Sequence, residues 1–320
     1  MIRTSSYSLP SYIGNTPLAK LNNILGNVAE IELYAKLEMC SVGGSMKDRA
    51  AFNMVRQALL DGDLDIGHTV IESSSGNMGI GLALACAYYH LSFICVVDER
   101  TNRHTIKLLK TLGAKIVIIY TKDIQNNETL LEARLRTVKQ IIQSKKNIYW
   151  TNQYANPANP NAYFSMMKEI DTSLDGKIDF VLCATGTCGT IRGCSEYIKQ
   201  RGLQTKIIAV DAVGSVIFGG NPKPRLIAGH GAAIRPSLFR RDMCDAVFHI
   251  NERDAITGCY TLLEKEAILG GGSSGAIISA LRKVSIKLPK GSTVVLILPD
   301  RGERYLDSIY NASWRKRNLV

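Results

Sequence analysis

The sequence predicts an α/β protein with two doubly wound domains, each built on a mostly parallel sheet. Short apolar stretches rich in Val and Ile alternate with longer stretches of helical periodicity along the chain. This alternation is typical of βαβ units, in which helices cover both faces of a parallel sheet. The polar residues 151–161, rich in Asn and Pro, interrupt the alternation and indicate two sheets rather than one.

The predicted elements form two series on either side of that interruption. The first series has strands at 31–37, 69–72, 93–97 and 115–120, helices from 46, 78 and 105, and a helix at 128–144. The second has strands at 178–184, 207–211, 246–250 and 294–298, helices from 191 and 276, and a helix at 253–269. We expect a smaller mobile domain at 35–148 and a larger domain that combines 1–34 with 149–320.

Residues 78–97 are nearly uncharged over a length that would span a membrane. Two glycines, His90 and Ser92 interrupt this stretch, and the β-rich residues 93–97 follow a plausible turn. We therefore predict a helix followed by a strand, and no membrane contact.

Composition narrows the class of protein further. The 320 residues are 46% hydrophobic, and eight cysteines are scattered without a Cys-x-x-Cys pair or histidines at metal-ligand spacing. This usage predicts reduced thiols in a cytoplasmic protein without a metal site. Residues 1–6 show no apolar stretch of the signal-peptide kind. The net charge of +11 is spread along the chain, which predicts a solvated basic surface, or a surface that attracts anionic substrates, rather than a nucleic-acid site.

Lys47 follows two glycines and a serine and opens an apolar helix. It precedes Ala51 by four residues, on the predicted buried stripe of that helix. Burial disfavours a charged ammonium, and a neutral amine can form a Schiff base with pyridoxal phosphate. From the lysine alone, a side chain that extends past the helix end into water is the alternative.

Three Gly- and Ser-rich segments add candidate ligand sites. Residues 73–77 lie between a strand and a helix and suit an anion such as a carboxylate, although helix capping alone would also explain them. Residues 270–275 lie between two helical stretches, as either a site for a flat ring or a flexible connector. The third segment suits a phosphate held by amides and two hydroxyls, and consists of Gly186, Thr187, Cys188, Gly189 and Thr190. Its GxxGxxxG spacing disfavours a dinucleotide site.

Together these motifs resemble the cysteine synthase and cystathionine β-synthase family of fold-type II pyridoxal phosphate enzymes, which share a tryptophan synthase β-like fold. The resemblance runs from residues 13–18 to residues 299–305. It implies a homodimer in which Lys47 binds pyridoxal 5'-phosphate covalently, Asn77 contacts the ring oxygen and Ser273 meets the pyridine nitrogen. It also implies that the phosphate lies on residues 186–190, and that the substrate carboxylate is bound by Ser74, Ser75, Asn77, Met78 and Gln153.

Within the family, the chain is similar to the N-(2-amino-2-carboxyethyl)-L-glutamate synthases of staphyloferrin B and 2,3-diaminopropionate biosynthesis. Ordinary cysteine synthases usually carry Val, Thr and Phe at the positions of Met46, Met78 and Tyr154. These differences favour an amine over sulfide as the nucleophile. The resemblance implies β-replacement on O-phospho-L-serine by L-glutamate, with Arg134 and Tyr154 binding the leaving phosphate.

Alternatives stay open at this point. Arg134 also fits a surface arginine on an amphipathic helix. Sulfide or homocysteine would make the protein a cysteine synthase, acting on O-acetylserine or O-phosphoserine, or a cystathionine β-synthase. A catalytically silent binding paralogue is a further alternative. Gly186 stands where the subgroup has a serine, and His230 interrupts the family's Gly-Ile-Gly-Ala run, so the second substrate is not fixed.

Overall fold

The computed structural model describes residues 8–26, 30–125 and 128–319. They form two compact units, one of residues 8–13 and Lys47–Asn159, the other of the described residues of 14–46 and 160–319. Each unit contains one sheet, so the predicted α/β class with mostly parallel sheets is confirmed. Residues 1–7, on which the expectation of no export signal rests, lie outside the described residues.

The described residues contain ten strands and ten α-helices. The strands are β1 Leu18–Lys20, β2 Glu32–Leu37, β3 Thr69–Ser73, β4 Ser92–Asp98, β5 Lys115–Ile119, β6 Ile148–Trp150, β7 Phe180–Ala184, β8 Lys206–Ala212, β9 Ala246–Ile250 and β10 Thr293–Leu298. The helices are α1 Lys47–Asp61, α2 Asn77–Tyr88, α3 Arg103–Thr111, α4 Leu130–Ser144, α5 Ala158–Asn161, α6 Tyr163–Ser173, α7 Gly189–Arg201, α8 Glu252–Glu266, α9 Gly272–Val284 and α10 Ala312–Asn318.

The first unit is built on a four-stranded sheet in the order β5-β4-β3-β6. All neighbouring strands in it are parallel. An apolar cluster packs between this sheet and α4, and it consists of Ile71, Ile94, Val96, Ile119, Ala133 and Val138. Because the strands are parallel, the residues that follow β3, β4 and β6 emerge at the same edge of the sheet.

The second unit is built on a six-stranded sheet in the order β1-β2-β10-β7-β8-β9. Only the β1–β2 pair is antiparallel. Helices α8 and α9 pack backbone to backbone, since a Cβ on Gly258 would lie 2.0 Å from the carbonyl oxygen of Gly275. The absence of side chains at these two positions therefore allows the close approach.

The apolar stretch 78–97 is α2 followed by β4, as predicted. None of the helices in the described part of the chain is long and apolar enough to cross a membrane. Four predicted helix starts were wrong by two residues or more. Helix α3 begins at Arg103 rather than 105, and α4 begins at Leu130 rather than 128. Helix α7 begins at Gly189 rather than Ile191, and α9 begins at Gly272 rather than Ala276. Their first turns contain Gly, Ser and Thr, which give no apolar periodicity, so the sequence pattern starts late.

Candidate active site

Lys47 is the first residue of α1 and is half-buried, while Ala51 on the same stripe is fully buried. Helix α2 crosses α1 at this point. A Cβ on Gly81 of α2 would lie 3.0 Å from the Ala51 Cβ and 3.2 Å from the carbonyl oxygen of Lys47. The glycine therefore lets α2 pack against the backbone that carries Lys47.

The serine-rich loop after β3 is shaped by Ser74. Its hydroxyl oxygen accepts a hydrogen bond from the amide of Gly79 at 3.0 Å, in the first turn of α2. Its carbonyl oxygen accepts one from the Cys95 thiol at 3.2 Å. Ser74 thus caps α2, which was the alternative to ligand binding. A hydroxyl that accepts from an amide retains its own proton for donation, so capping and carboxylate binding are compatible. Ser75 and Asn77 are half-buried, and Met78 is buried.

Glu72, near the end of β3, has no role in the sequence-based predictions. Its carboxylate is 0% exposed and accepts four hydrogen bonds. One oxygen accepts from the Ser73 amide at 2.8 Å and the Trp150 indole at 3.3 Å. The other accepts from the Thr151 hydroxyl at 2.7 Å and the Gln153 amide at 2.9 Å. Glu72 therefore joins the serine loop to the segment after β6.

Burial raises the pKa of Glu72, and the hydrogen bonds from Thr151, Gln153, Ser73 and Trp150 oppose that rise. An unpartnered carboxylate at this depth would be far more costly. A charged residue inside an apolar strand was the available signal in the sequence, because such a residue needs several donors when it is buried.

Gln153 is buried and held at three points. Its backbone amide donates a hydrogen bond to the Glu72 carboxylate, and its side-chain nitrogen donates one to the Ser73 carbonyl at 3.0 Å. Its carbonyl oxygen accepts from the Asn159 side chain at 2.7 Å. Gln153 is thus bonded to Glu72 and Ser73, the two residues that precede the predicted carboxylate ligand Ser74 in the chain.

Arg134 lies on α4 and is 8% exposed, so the alternative of a surface arginine is wrong. Its Nη1 lies 3.3 Å from Oδ2 of Asp98, the last residue of β4. Among the described residues, neither Nε nor Nη1 of Arg134 has a hydrogen-bond partner. Tyr154, the other predicted phosphate ligand, is half-buried.

The predicted phosphate loop lies in the second unit, between β7 and α7. Cys188 caps α7 with a left-handed backbone, at a φ of 66°. The residues from Gly189 onward form the first turn of α7, whose amides have no partner within the helix. Thr187 is half-buried and Thr190 is buried. Such a turn, with two hydroxyls beside it, has the donors that a phosphate group needs.

The base of this loop is anchored by Thr185, whose hydroxyl donates to Asp211 at 2.8 Å. A Cβ on Gly186 would lie 2.9 Å from the carbonyl oxygen of Gly229, so only glycine fits there without a shift. Burial raises the pKa of the Cys188 thiol to about 12, which keeps the thiol neutral. Cys188 therefore contributes backbone to the loop and no nucleophile.

Met46, the residue directly before Lys47 in the chain, contacts this loop. Its sulfur lies 3.9 Å from the Thr190 hydroxyl, and its amide donates to the Pro299 carbonyl at 2.8 Å. Both contacts of Met46 lie within the second unit.

Ser273 lies in the first turn of α9 and is half-buried. The start of this helix is packed tightly, since a Cβ on Gly271 would lie 2.1 Å from Oδ1 of Asp300. The other carboxylate oxygen of Asp300 accepts from the Tyr305 hydroxyl at 2.5 Å. Asp300 thus fixes the segment that leads to Ser273, a role that sequence spacing does not reveal.

Comparison with known proteins assigns the family. Residues 9–300 match the family described as "Pyridoxal-phosphate dependent enzyme", and the chain belongs to it. The chain is 40% identical to an N-(2-amino-2-carboxyethyl)-L-glutamate synthase of Ralstonia nicotianae and 38% identical to one of Cupriavidus metallidurans. Each match covers 97% of this chain and 91% of the relative.

A solved structure agrees with this assignment. The O-acetylserine dependent cystathionine β-synthase of Helicobacter pylori matches with a TM-score of 0.88 and 31% identity, over 97% of this chain and all of the other. The protein is therefore an enzyme that uses pyridoxal phosphate and catalyses β-replacement. The donors of residues 186–190 and the lysine at the start of α1 fit this cofactor.

Proposed function

We propose that the protein replaces the phosphate of O-phospho-L-serine with the amine of L-glutamate, forming N-(2-amino-2-carboxyethyl)-L-glutamate. The two relatives of 38–40% identity are both named as synthases of this product. The observation that carries the choice of O-phospho-L-serine is Arg134. A buried guanidinium with two nitrogens that lack hydrogen-bond partners among the described residues suits a phosphate monoester, because it forms charge-assisted hydrogen bonds.

In this proposal Lys47 holds the cofactor and moves the proton at Cα. Pyridoxal phosphate, when bound, supplies an electron sink that makes the Cα–H bond acidic and lets the Cβ substituent leave. Lys47 would be free to accept the Cα proton once the amine of the substrate has displaced it from the cofactor, and it would take that proton as the Cβ–O bond breaks and phosphate departs. After the glutamate nitrogen forms a bond with Cβ and loses a proton to solvent, Lys47 returns a proton to Cα.

The other residues bind and orient. Ser74, Ser75, Asn77, Met78 and Gln153 bind the α-carboxylate of the first substrate, with Ser74 and Gln153 held in place by the contacts described above. Residues 186–190 bind the phosphate of the cofactor, and Asn77 contacts the oxygen on the ring of the cofactor. A neutral hydroxyl from Ser273 at the pyridine nitrogen leaves that nitrogen largely unprotonated, which suits elimination at Cβ better than transamination.

Mass spectrometry of the product tests the proposal. The enzyme is incubated with O-phospho-L-serine and a panel of amino acids, sulfide and homocysteine, and we expect the glutamate adduct to dominate. If sulfide or homocysteine alone were consumed, the protein would be a cysteine synthase or a cystathionine β-synthase. The similarity to the Helicobacter pylori enzyme makes that the second candidate.

Arg134→Met tests the leaving group separately. We expect kcat/KM for O-phospho-L-serine to fall at least 100-fold, because a charged pair is lost, with a much smaller change for O-acetyl-L-serine. Arg136→Met is the matched control, since Arg136 lies on the same helix and pairs with Glu128 at 2.6 Å. Equal losses on both substrates would remove Arg134 from phosphate recognition.

The proposal also includes a homodimer in the cytoplasm and a mobile smaller domain at 35–148. Light scattering on the purified protein tests the dimer. Hydrogen exchange with and without O-phospho-L-serine tests the mobility, because a mobile domain should gain protection when substrate binds.

A catalytically silent binding paralogue is the remaining alternative. Such a protein would not need Lys47 or the donors of residues 186–190, and it would bind O-phospho-L-serine without turnover.

A further inference from the structure

His230 is a buried histidine that the mechanism above does not use. Its side chain is 2% exposed. Neither Nδ1 nor Nε2 makes a hydrogen bond with any residue in the described part of the chain. Buried polar groups in native proteins nearly always have a partner, and leaving one unpaired lowers stability. An apolar side chain would fill the same place without this loss of stability. We therefore expect the imidazole to form a hydrogen bond with a bound ligand.

The turn that carries His230 packs directly against the phosphate loop. The Gly231 amide donates to the Thr185 carbonyl at 2.8 Å, at the base of the loop. The Gly229 carbonyl oxygen lies 2.9 Å from the position of a Cβ on Gly186. Both flanking glycines have a positive φ, 78° at Gly229 and 71° at Gly231. The turn is therefore tight, and it places His230 next to residues 186–190.

The charge state of His230 suits a negative ligand group. Burial and the nearby charge of Arg225 lower the pKa of His230 to about 4, so the ring is neutral at pH 7. A neutral imidazole has one N–H donor. Arg225 donates to the Gly214 carbonyl at 2.7 Å, which holds its positive charge in this region.

We propose that His230 donates a hydrogen bond to an oxyanion bound beside residues 186–190. Two sources share this chemistry: the phosphate of the cofactor and a carboxylate of the incoming amino acid. The first rests only on the use of pyridoxal phosphate. The second rests on the proposed function, because it requires an amino acid as the nucleophile.

Nitrogen NMR of the full-length protein distinguishes these sources. The chain has five histidines, and His230→Gln identifies the resonances of His230 in protein made with 15N-labelled histidine. Inorganic phosphate and then pyridoxal phosphate are added to the apoprotein, and L-glutamate is added to the holoenzyme. We expect the ring nitrogens of His230 to shift. A response to phosphate and the cofactor assigns the first source, and a response to glutamate alone assigns the second. If none of the three additions moves these resonances, the proposal is wrong.

His230→Ile separates a ligand role from a structural one. We expect the unfolding temperature of the apoprotein to stay the same or rise, because an unpaired polar group is removed. Binding of the cofactor, or KM for glutamate, should weaken about tenfold or more, as for loss of a hydrogen bond to a charged group. A lower unfolding temperature with unchanged binding would contradict the proposal. His104→Ile, at an exposed position on α3, should change neither quantity.

These measurements do not depend on which product the enzyme makes. Shifts with phosphate and the cofactor, together with no glutamate adduct, would refute the proposed function and keep the inference. A glutamate adduct, together with His230 resonances that do not shift, would support the proposed function and refute the inference about His230.

Discussion

The two predicted ligand loops, residues 73–77 and 186–190, differ in whether the buried polar groups beside them have hydrogen-bond partners. In the first unit, Glu72 beside the serine loop accepts four hydrogen bonds, and Gln153 is held at three points. In the second unit, His230 beside the phosphate loop has no partner among the described residues. A satisfied network fixes the shape of a loop before any ligand arrives, whereas an unpaired buried group marks a place where a ligand completes the structure.

The same difference appears in the protonation of the two residues. Burial raises the pKa of Glu72 and lowers the pKa of His230, so it favours the neutral form of each. Only around Glu72 do hydrogen bonds oppose the effect of burial. The carboxylate is therefore supported by the protein itself, while the imidazole receives no such support in the absence of ligand.

Glu72→Gln should have the largest effect on this comparison. An amide nitrogen in place of a carboxylate oxygen would face N–H donors, which leaves several buried groups unpaired. We expect the free energy of unfolding to fall by about 3 kcal/mol or more. KM for the first substrate should rise at least tenfold, because either the Ser73 amide or the Gln153 amide loses the oxygen that accepts its hydrogen bond. Denaturant unfolding and steady-state kinetics measure the two effects.

The matched control for Glu72→Gln is Glu264→Gln, at an exposed position on α8. A surface change of this kind should alter stability by less than about 0.5 kcal/mol. If Glu72→Gln behaved like the control, the network would not shape the loop.

A pH series on the apoprotein should show the cost of His230. The pKa of His230 is about 4 in the folded protein, below the usual histidine value of 6.5, so the unfolded chain binds the proton first as the pH falls. The contribution of His230 to the free energy of unfolding therefore decreases by about 3 kcal/mol in total as the pH falls from 6.5 to 4. His230→Ile removes this decrease.

The effect of His230 is the difference between two curves of unfolding free energy against pH, one for the wild-type protein and one for His230→Ile. The contribution of Glu72 to the pH dependence of stability has the opposite sign. Its pKa is raised in the folded protein, so stability increases as the pH falls through that pKa. Subtracting the two curves cancels Glu72 and leaves His230. Parallel curves between pH 6.5 and pH 4 would mean that the imidazole finds a partner in the absence of ligand.

Gly186→Ala should have the smallest effect of the three. The added methyl group would meet the Gly229 carbonyl oxygen at 2.9 Å and push the His230 turn away from the phosphate loop. We expect a cost of roughly 1–2 kcal/mol, seen as about a tenfold weaker affinity for pyridoxal phosphate in a spectral titration. An unchanged affinity would show that the turn and the loop act independently.

Much of the fold was predictable because its strands and helices are long and apolar. The alternation along 69–144 predicted β3, β4, β5 and the helices between them. Strand β1 has only three residues, too few for a periodic pattern, and was not predicted. The starts of α7 and α9 were placed late because small residues in a first turn give no periodic signal.

The sequence predicts candidate site residues where a side chain sits in an ordered series of motifs, as Lys47 and residues 186–190 do. It does not predict the residues that contact those motifs. Glu72 and Asp300 act through contacts made by the fold, and the burial of Arg134 depends on how α4 packs against β3 and β4. No spacing along the chain encodes such packing.

Borohydride reduction of the yellow holoenzyme, followed by peptide mapping with mass spectrometry, tests the central claim most directly. Reduction makes a link between an amine and the cofactor permanent. We expect one labelled peptide, with pyridoxal phosphate attached to Lys47, and no label in Lys47→Ala. A label on another lysine, or a protein that stays unlabelled when it is saturated with the cofactor, would contradict the account.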